Sequence, residues 1–254
     1  MSFFLRCLRF LILLVIKGLR YGIYPITVHP ISRENSAKDW QKTRLILILN
    51  HTSLFEFLFG SALPVSYLWR MAGHLSFPVA QETLDKPFMS FLYQCMAPKV
   101  IPLSRKRDNT WADFSNGIGP DSIVIMMPEG RMRRLNGYDK HGKAMSVRAG
   151  VAEIIPRFKH ENMLLVYSGG LHHVFPPGAV IPKLFRRIHA GLETVNVDKF
   201  IADLKARSTP EELTKAIITE LAERRNLHVT RINATKGVSA MGKARVQPEG
   251  KHLP

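Results

Sequence analysis

Short, dense apolar runs separated by polar turns recur along this chain. Leu45 to Leu49 reads LILIL, Ser122 to Met127 reads SIVIMM, and Met163 to Tyr167 reads MLLVY. Runs this short, without polar alternation, predict strands buried on both faces, as in a covered parallel or mixed sheet. Val100 to Leu103 (VIPL) predicts a further short strand, and Val65 to Met71 (VSYLWRM) another. Helical segments fall between them. Ser53 is an N-cap for LFEFLFGSAL, which stops near Pro64. Asp85 and Pro87 open a helix over PFMSFLYQCM. Residues 108–117 and 143–155 read as helical, and 31–43 as a connection or short helix. Thr209, Pro210 and Glu212 form a capping box for a helix reaching about Arg225. Strands alternating with helices predict an α/β fold, a mixed and mostly buried sheet flanked by helices.

The first residues follow a different pattern. FFLRCLRFLILLVI precedes KGLRYGIY, and the uninterrupted apolar run Phe10 to Ile16 is far shorter than the ~20 residues that span a bilayer. At ~100° per residue, Arg6, Arg9, Lys17 and Arg20 fall within an arc of about 80°, and most of the remaining circumference is Leu, Ile, Phe and Val. This pattern predicts a helix lying in a membrane interface with its cations turned toward headgroups. A core helix with a basic edge facing water, or a tilted span with snorkelling arginines, fits the same positions. Pro25 and His29-Pro30 end it. The expected organisation is a membrane-anchoring helix over 1–30, one catalytic-sized domain over 31–232, and a disordered tail over 233–254, which lacks apolar periodicity.

Composition sharpens this picture in one respect. The 254 residues carry a formal net charge of +16, which calls for an acidic partner. Clusters such as Arg105 to Arg107 and Arg131 to Arg134 come without a nucleic-acid module or an array of stacking aromatics, so nucleic acid is not expected. An anionic membrane surface accounts for these clusters and the N-terminal stripe together. The expected location is monotopic, on the cytoplasmic face of an inner or plasma membrane. Cys7 and Cys95 both lie in apolar stretches and no Cys/His ligand spacing occurs, so neither a disulfide framework nor a metal is expected. His172-His173 reads as a pair of loop residues.

Three polar clusters each follow an apolar strand: Asn50-His51 with Glu56, Arg105-Lys106-Arg107, and Glu129-Gly130-Arg131. Strand ends are where loops converge into sites on α/β sheets, so the three are expected to be neighbours. His51 and Glu56 are about 140° apart on a continuous helix. They meet only if His51 lies in the turn before the helix and Glu56 within its first turns. A carboxylate on one imidazole nitrogen fixes the tautomer and stabilises the imidazolium formed when the other nitrogen takes a proton. Spacing alone favours an unconnected histidine and a surface glutamate.

Asn50-His51-Thr52-Ser53-Leu54-Phe55-Glu56 resembles the N-H-x-S-x-x-D block of the glycerolipid acyltransferase superfamily, which includes the 1-acylglycerol-3-phosphate acyltransferases. Met127-Pro128-Glu129-Gly130 is similar to its F-P-E-G block, Val100 through Arg107 to its strand-then-arginine block, and Lys140 through Val151 to the stretch that follows. The four blocks occur in the family's order over roughly residues 45–170. The resemblance implies an O-acyltransferase of the HX4E type. His51 is the general base on the acceptor hydroxyl and Glu56 its orienting carboxylate. Arg105 and Arg107 bind the acceptor phosphate; Glu129, Gly130 and Arg131 complete the acceptor site. It implies a lysophospholipid-like acceptor, acyl-CoA or acyl-carrier protein as co-substrate, and no cofactor.

The chain departs from the family pattern in three places. Glu56 stands where Asp is commoner, Arg131-Met132-Arg133 replaces Thr-Arg, and Leu165-Val166-Tyr167-Ser168 lacks the usual proline. These leave open another lipid acceptor, such as a lyso-aminolipid or a lipid A precursor. A non-catalytic lipid-binding protein that retains the fold is the alternative of a different class.

Overall fold

The structure, a computed structural model, describes residues 3–31, 37–104 and 109–244, except for the side chains of 37, 38 and 237–244. In chain order the elements are α1 (Phe3–Gly18), β1 (Ile26–Pro30), α2 (Ala37–Lys42), β2 (Thr43–Leu49), α3 (Val65–His74), β3 (Leu75–Ala80), α4 (Gln81–Leu84), α5 (Pro87–Met96), β4 (Lys99–Leu103), α6 (Asn109–Asn116), β5 (Ile123–Met126), α7 (Gly150–Ile154), β6 (Asn162–Ser168), β7 (Ile188–Asn196), α8 (Val197–Lys205) and α9 (Leu213–Ala244). A 3-10 helix over Leu54–Ala62 follows β2.

Among the described residues the strands form one seven-stranded sheet in the order β1-β7-β6-β2-β5-β3-β4. Strands β2 to β6 are mutually parallel. β7 runs antiparallel to β6, and β1 lies parallel to β7 at the edge. The mixed, helix-flanked sheet matches the expected fold class. LILIL in β2 is apolar throughout because both its faces are covered. Ile46 and Ile48 join a core under α1, α3 and α5, and Leu45, Leu47 and Leu49 join one under α6, α7, α8 and α9.

Several expectations fail for physical reasons. Residues 65–71 form a helix, not a strand: Pro64 opens α3, and Tyr67, Leu68, Met71 and Ala72 recur at helical spacing on its buried face. The strand falls on Leu75–Ala80 instead. Residues 143–149 are not helical, because Asp139 takes the Lys143 N–H at 2.9 Å and the Arg148 N–H donates to the Pro128 carbonyl at 2.8 Å. Only Gly150–Ile154 winds as α-helix. β1, β3, β7 and α8 lay outside the sequence expectations. α9 continues to Ala244, so the expected tail is helical over 233–244, and 245–254 lies outside the described residues.

The N-terminal stripe also points the other way. Arg6 donates to the Trp69 carbonyl (Nη2, 3.2 Å) and lies 4.3 Å over the Trp69 ring. Lys17 donates to the carbonyls of Ser61 (3.1 Å) and Leu63 (2.7 Å), and Arg20 to that of Ser61 (3.0 Å). These carbonyls end the 3-10 helix, where acceptors lack intrahelical partners and the dipole is negative. The cations therefore satisfy the protein's own acceptors. The face of α1 left to solvent is apolar: Phe3, Phe4, Leu8, Leu11 and Val15 are exposed, alongside Phe88 and Phe91 of neighbouring α5. No helix among the described residues is long and apolar enough to cross a membrane.

Candidate active site

The site begins where β2 ends. Asn50 has φ +65°, a left-handed conformation that asparagine tolerates better than most residues, and it turns the chain sharply off the sheet. Its side-chain amide donates to the Ser168 carbonyl at the end of β6 (2.8 Å), tying the turn to the neighbouring strand. Ser53 is the N-cap expected, its hydroxyl oxygen accepting from the Phe55 N–H at 3.1 Å. This puts His51 in the turn and Glu56 in the first turn of the 3-10 helix, the only arrangement in which their spacing lets them meet.

His51 Nδ1 lies 2.6 Å from Glu56 Oε2, and Glu56 Oε1 accepts from the Thr52 N–H at 2.7 Å. Glu56 is fully buried, whereas His51 keeps a slight exposure. With Nδ1–H donating to the carboxylate, Nε2 carries the lone pair. Burial, the largest influence on the imidazole, favours its neutral form. The charge and hydrogen bond of Glu56, with the Glu129 charge behind them, outweigh burial, and His51 rests above its ordinary 6.5.

Glu129 is brought to the same turn, but not to its open side. Its Oε2 accepts the His51 N–H at 2.6 Å; its Oε1 accepts the Asn50 N–H at 3.1 Å and Arg225 Nη1 at 2.8 Å. It is buried and does not line the cleft. Gly130 does line it, at φ +63°, a conformation that suits glycine. Arg131 lines it too, with its guanidinium held by Asp139. Arg105, Lys106 and Arg107 lie outside the described residues; the preceding Leu103 and Ser104 belong to the same cleft wall. His172 and His173 donate to the carbonyls of Arg133 (2.6 Å) and Arg187 (2.8 Å).

The cleft holds about 390 Å³, with His51 on its floor and Arg131 and Arg148 on its walls. The Arg148 guanidinium is exposed and makes no hydrogen bond or ion pair among the described residues. Phe77, Tyr93 and Met127 line this cleft and also a second, apolar cavity of about 50 Å³ between α1, α3, α5 and the sheet, which Glu56 borders as well. Two residues of this neighbourhood escaped the sequence reading. Arg148 stood inside a recognised block without a role. Arg225 sits on a long polar helix where nothing in the sequence distinguishes it from its neighbours.

An imidazole oriented by a buried carboxylate, at the strand ends of an α/β sheet and open to a cleft lined by the guanidinium groups of Arg131 and Arg148, can take a proton from a hydroxyl and hold an anionic group beside it. The family model described as Acyltransferase matches residues 26–181, more than half of the sequence, and this chain belongs to that family. Among solved structures, the 1-acyl-sn-glycerophosphate (LPA) acyltransferase PlsC from Thermotoga maritima is similar, at 19% identity and a TM-score of 0.48, covering 89% of this chain and 82% of that one. No curated protein sequence matches the chain.

Proposed function

We propose that this acyltransferase moves a fatty acyl group from a thioester, acyl-CoA or acyl-carrier protein, to the hydroxyl of a lysophospholipid-like acceptor. The observation that carries the reading is the 2.6 Å contact of His51 with buried Glu56 at the floor of the cleft. His51 Nε2 takes the acceptor hydroxyl proton as that oxygen attacks the thioester carbonyl carbon. The imidazolium is held by Glu56. Collapse of the tetrahedral intermediate breaks the C–S bond, and the leaving thiolate receives the proton from Nε2. Ester and thiol are the products, with no acyl-enzyme and no cofactor.

Substrate placement follows from the cleft. An acceptor phosphate suits Arg148 and Arg131, whose planar forks match phosphate oxygens; Arg105 and Arg107, outside the described residues, stay candidates from the sequence resemblance alone. The apolar side chains Phe77, Tyr93 and Met127 on the cleft suit the fatty chain near its carbonyl; the adjoining cavity, at about 50 Å³, is too small to take the chain itself. The exposed apolar face of α1 and α5 enters the surface of the membrane that supplies the acceptor, and the net charge of +16 favours an anionic leaflet and acidic donors. Acceptor-dependent thiol release from acyl-CoA, in detergent and across a panel of lysophospholipids, tests the reaction. His51→Ala is expected to lower it by ~10²–10⁴-fold. Undiminished turnover in that variant would refute the base assignment, whereas intact lipid binding without turnover in the wild type, from either donor, would favour a lipid-binding protein.

A further inference from the structure

Glu129 presents two oxygens, and the protein occupies both. They accept from two successive amides, Asn50 and His51, and from Arg225 Nη1. The two amides belong to the turn whose first residue is held at φ +65°, a conformation sustained only where surrounding contacts over-determine it. A buried carboxylate at this point is costly unless it meets an opposite charge. Arg225, 8% exposed, supplies it. Its fork is fixed from the other side as well, with Nε and Nη2 donating to Asn226 Oδ1 at 3.2 and 3.1 Å. Arg225 comes from α9, beyond the family-matched residues 26–181.

We propose that Arg225 is a positioning residue for acyl transfer: through Glu129 it clamps the Asn50-His51 backbone, and so α9 completes the active site from outside the matched family region. The inference rests on the reading of His51 as the base. Among the described residues Arg225 does not line the cleft and makes no hydrogen bond to the imidazole, and its effect reaches His51 through the two amides. Such a clamp governs where Nε2 stands relative to the attacking hydroxyl. A displacement of about 1 Å at a reacting centre costs ~10²-fold in rate without weakening substrate binding in proportion.

The test uses the full chain with Arg225→Met, Arg225→Lys, Glu129→Gln and the Arg225→Met/Glu129→Gln pair. Arg225→Met is expected to lower kcat by ~10²-fold with KM little changed. Arg225→Lys should recover part of the loss, because it restores the charge without the fork. The pair should be no slower than Glu129→Gln alone, because Arg225 acts only through Glu129. A second readout needs no turnover. The low-field proton resonance of the short His51–Glu56 hydrogen bond, identified by its absence in His51→Ala, should shift or broaden in Arg225→Met while the thermal unfolding transition stays cooperative. Unchanged kcat per folded molecule together with an unmoved resonance would overturn the inference. Should Arg225→Met fail to fold, Arg225→Lys and Asn226→Ala carry the same comparison: a displaced resonance supports the clamp and an unmoved one refutes it. Because the resonance is read without substrate, failure of the clamp is distinguishable from failure of the base assignment, which His51→Ala turnover reports.

Discussion

Replacing Glu56 by glutamine removes the charge that faces the His51 imidazole while keeping the side chain's shape. Oε1 of residue 56 accepts the Thr52 N–H at 2.7 Å, so a glutamine there keeps its oxygen on Thr52 and turns its NH2 toward His51 Nδ1. Two donors then face one another unless the imidazole changes tautomer, which puts the proton on Nε2 and removes the base. The imidazolium of the transition state also loses a buried counter-charge, a change worth about 3–5 kcal/mol in comparable buried pairs. At about 1.4 kcal/mol per factor of ten, kcat should fall by ~10²–10⁴-fold. The pH profile gives a second, signed readout. His51 acts only when neutral, so activity rises with pH through its pKa, and the wild-type acidic limb should lie above 6.5. Burial is the largest influence on His51, and it lowers the pKa; without Glu56 it prevails over the Glu129 charge and the limb should move to lower pH. Thiol release measured from pH 5 to 9 in both proteins reads both effects. A kcat within about tenfold of wild type, or a limb that stays put or moves upward, would refute the reasoning.

Two further outcomes follow from the cleft and the surface. Arg148→Ala should raise KM for a phosphate-bearing acceptor by about tenfold or more while kcat changes little, and should leave KM for the acyl donor unchanged; an unchanged acceptor KM would remove Arg148 from the phosphate site. Phe88→Ala/Phe91→Ala should weaken binding to phosphatidylcholine vesicles at high salt, where charge attraction is screened, by roughly 10²-fold at about 1.5 kcal/mol or more per buried ring. Equal flotation of variant and wild type would place the membrane contact elsewhere.

Much of this protein was readable from local pattern. β2, β5 and β6 announced themselves as apolar runs because helices cover both their faces, β4 announced itself as a shorter run at the sheet edge, and Ser53 announced the helix that carries Glu56. Val65 to Met71 misled because a short apolar-aromatic run looks alike as strand and helix until Pro64 and the burial of Tyr67, Leu68, Met71 and Ala72 fix the period. β7 escaped because Gly191, Glu193 and Thr194 dilute its apolar alternation; its pairing with β6 on one side and β1 on the other holds it in the sheet.

By itself the sequence determined which polar residues follow the buried strands and in what order. His51, Glu56 and the Glu129-Gly130 pair sit in short segments whose chemistry and spacing are local properties. Tertiary structure alone decided the direction in which groups point. The cationic stripe of α1 is the same set of angles whether it meets lipid headgroups or the Ser61 and Leu63 carbonyls, and only the packing of α1 on the 3-10 helix selects the second. Glu129 is a carboxylate after a strand whether it meets a substrate or two amides and Arg225, and only the return of α9 across the sheet selects the latter. Contacts between residues distant in the chain cost loop-closure entropy and are fixed by the whole core, so no local pattern encodes them.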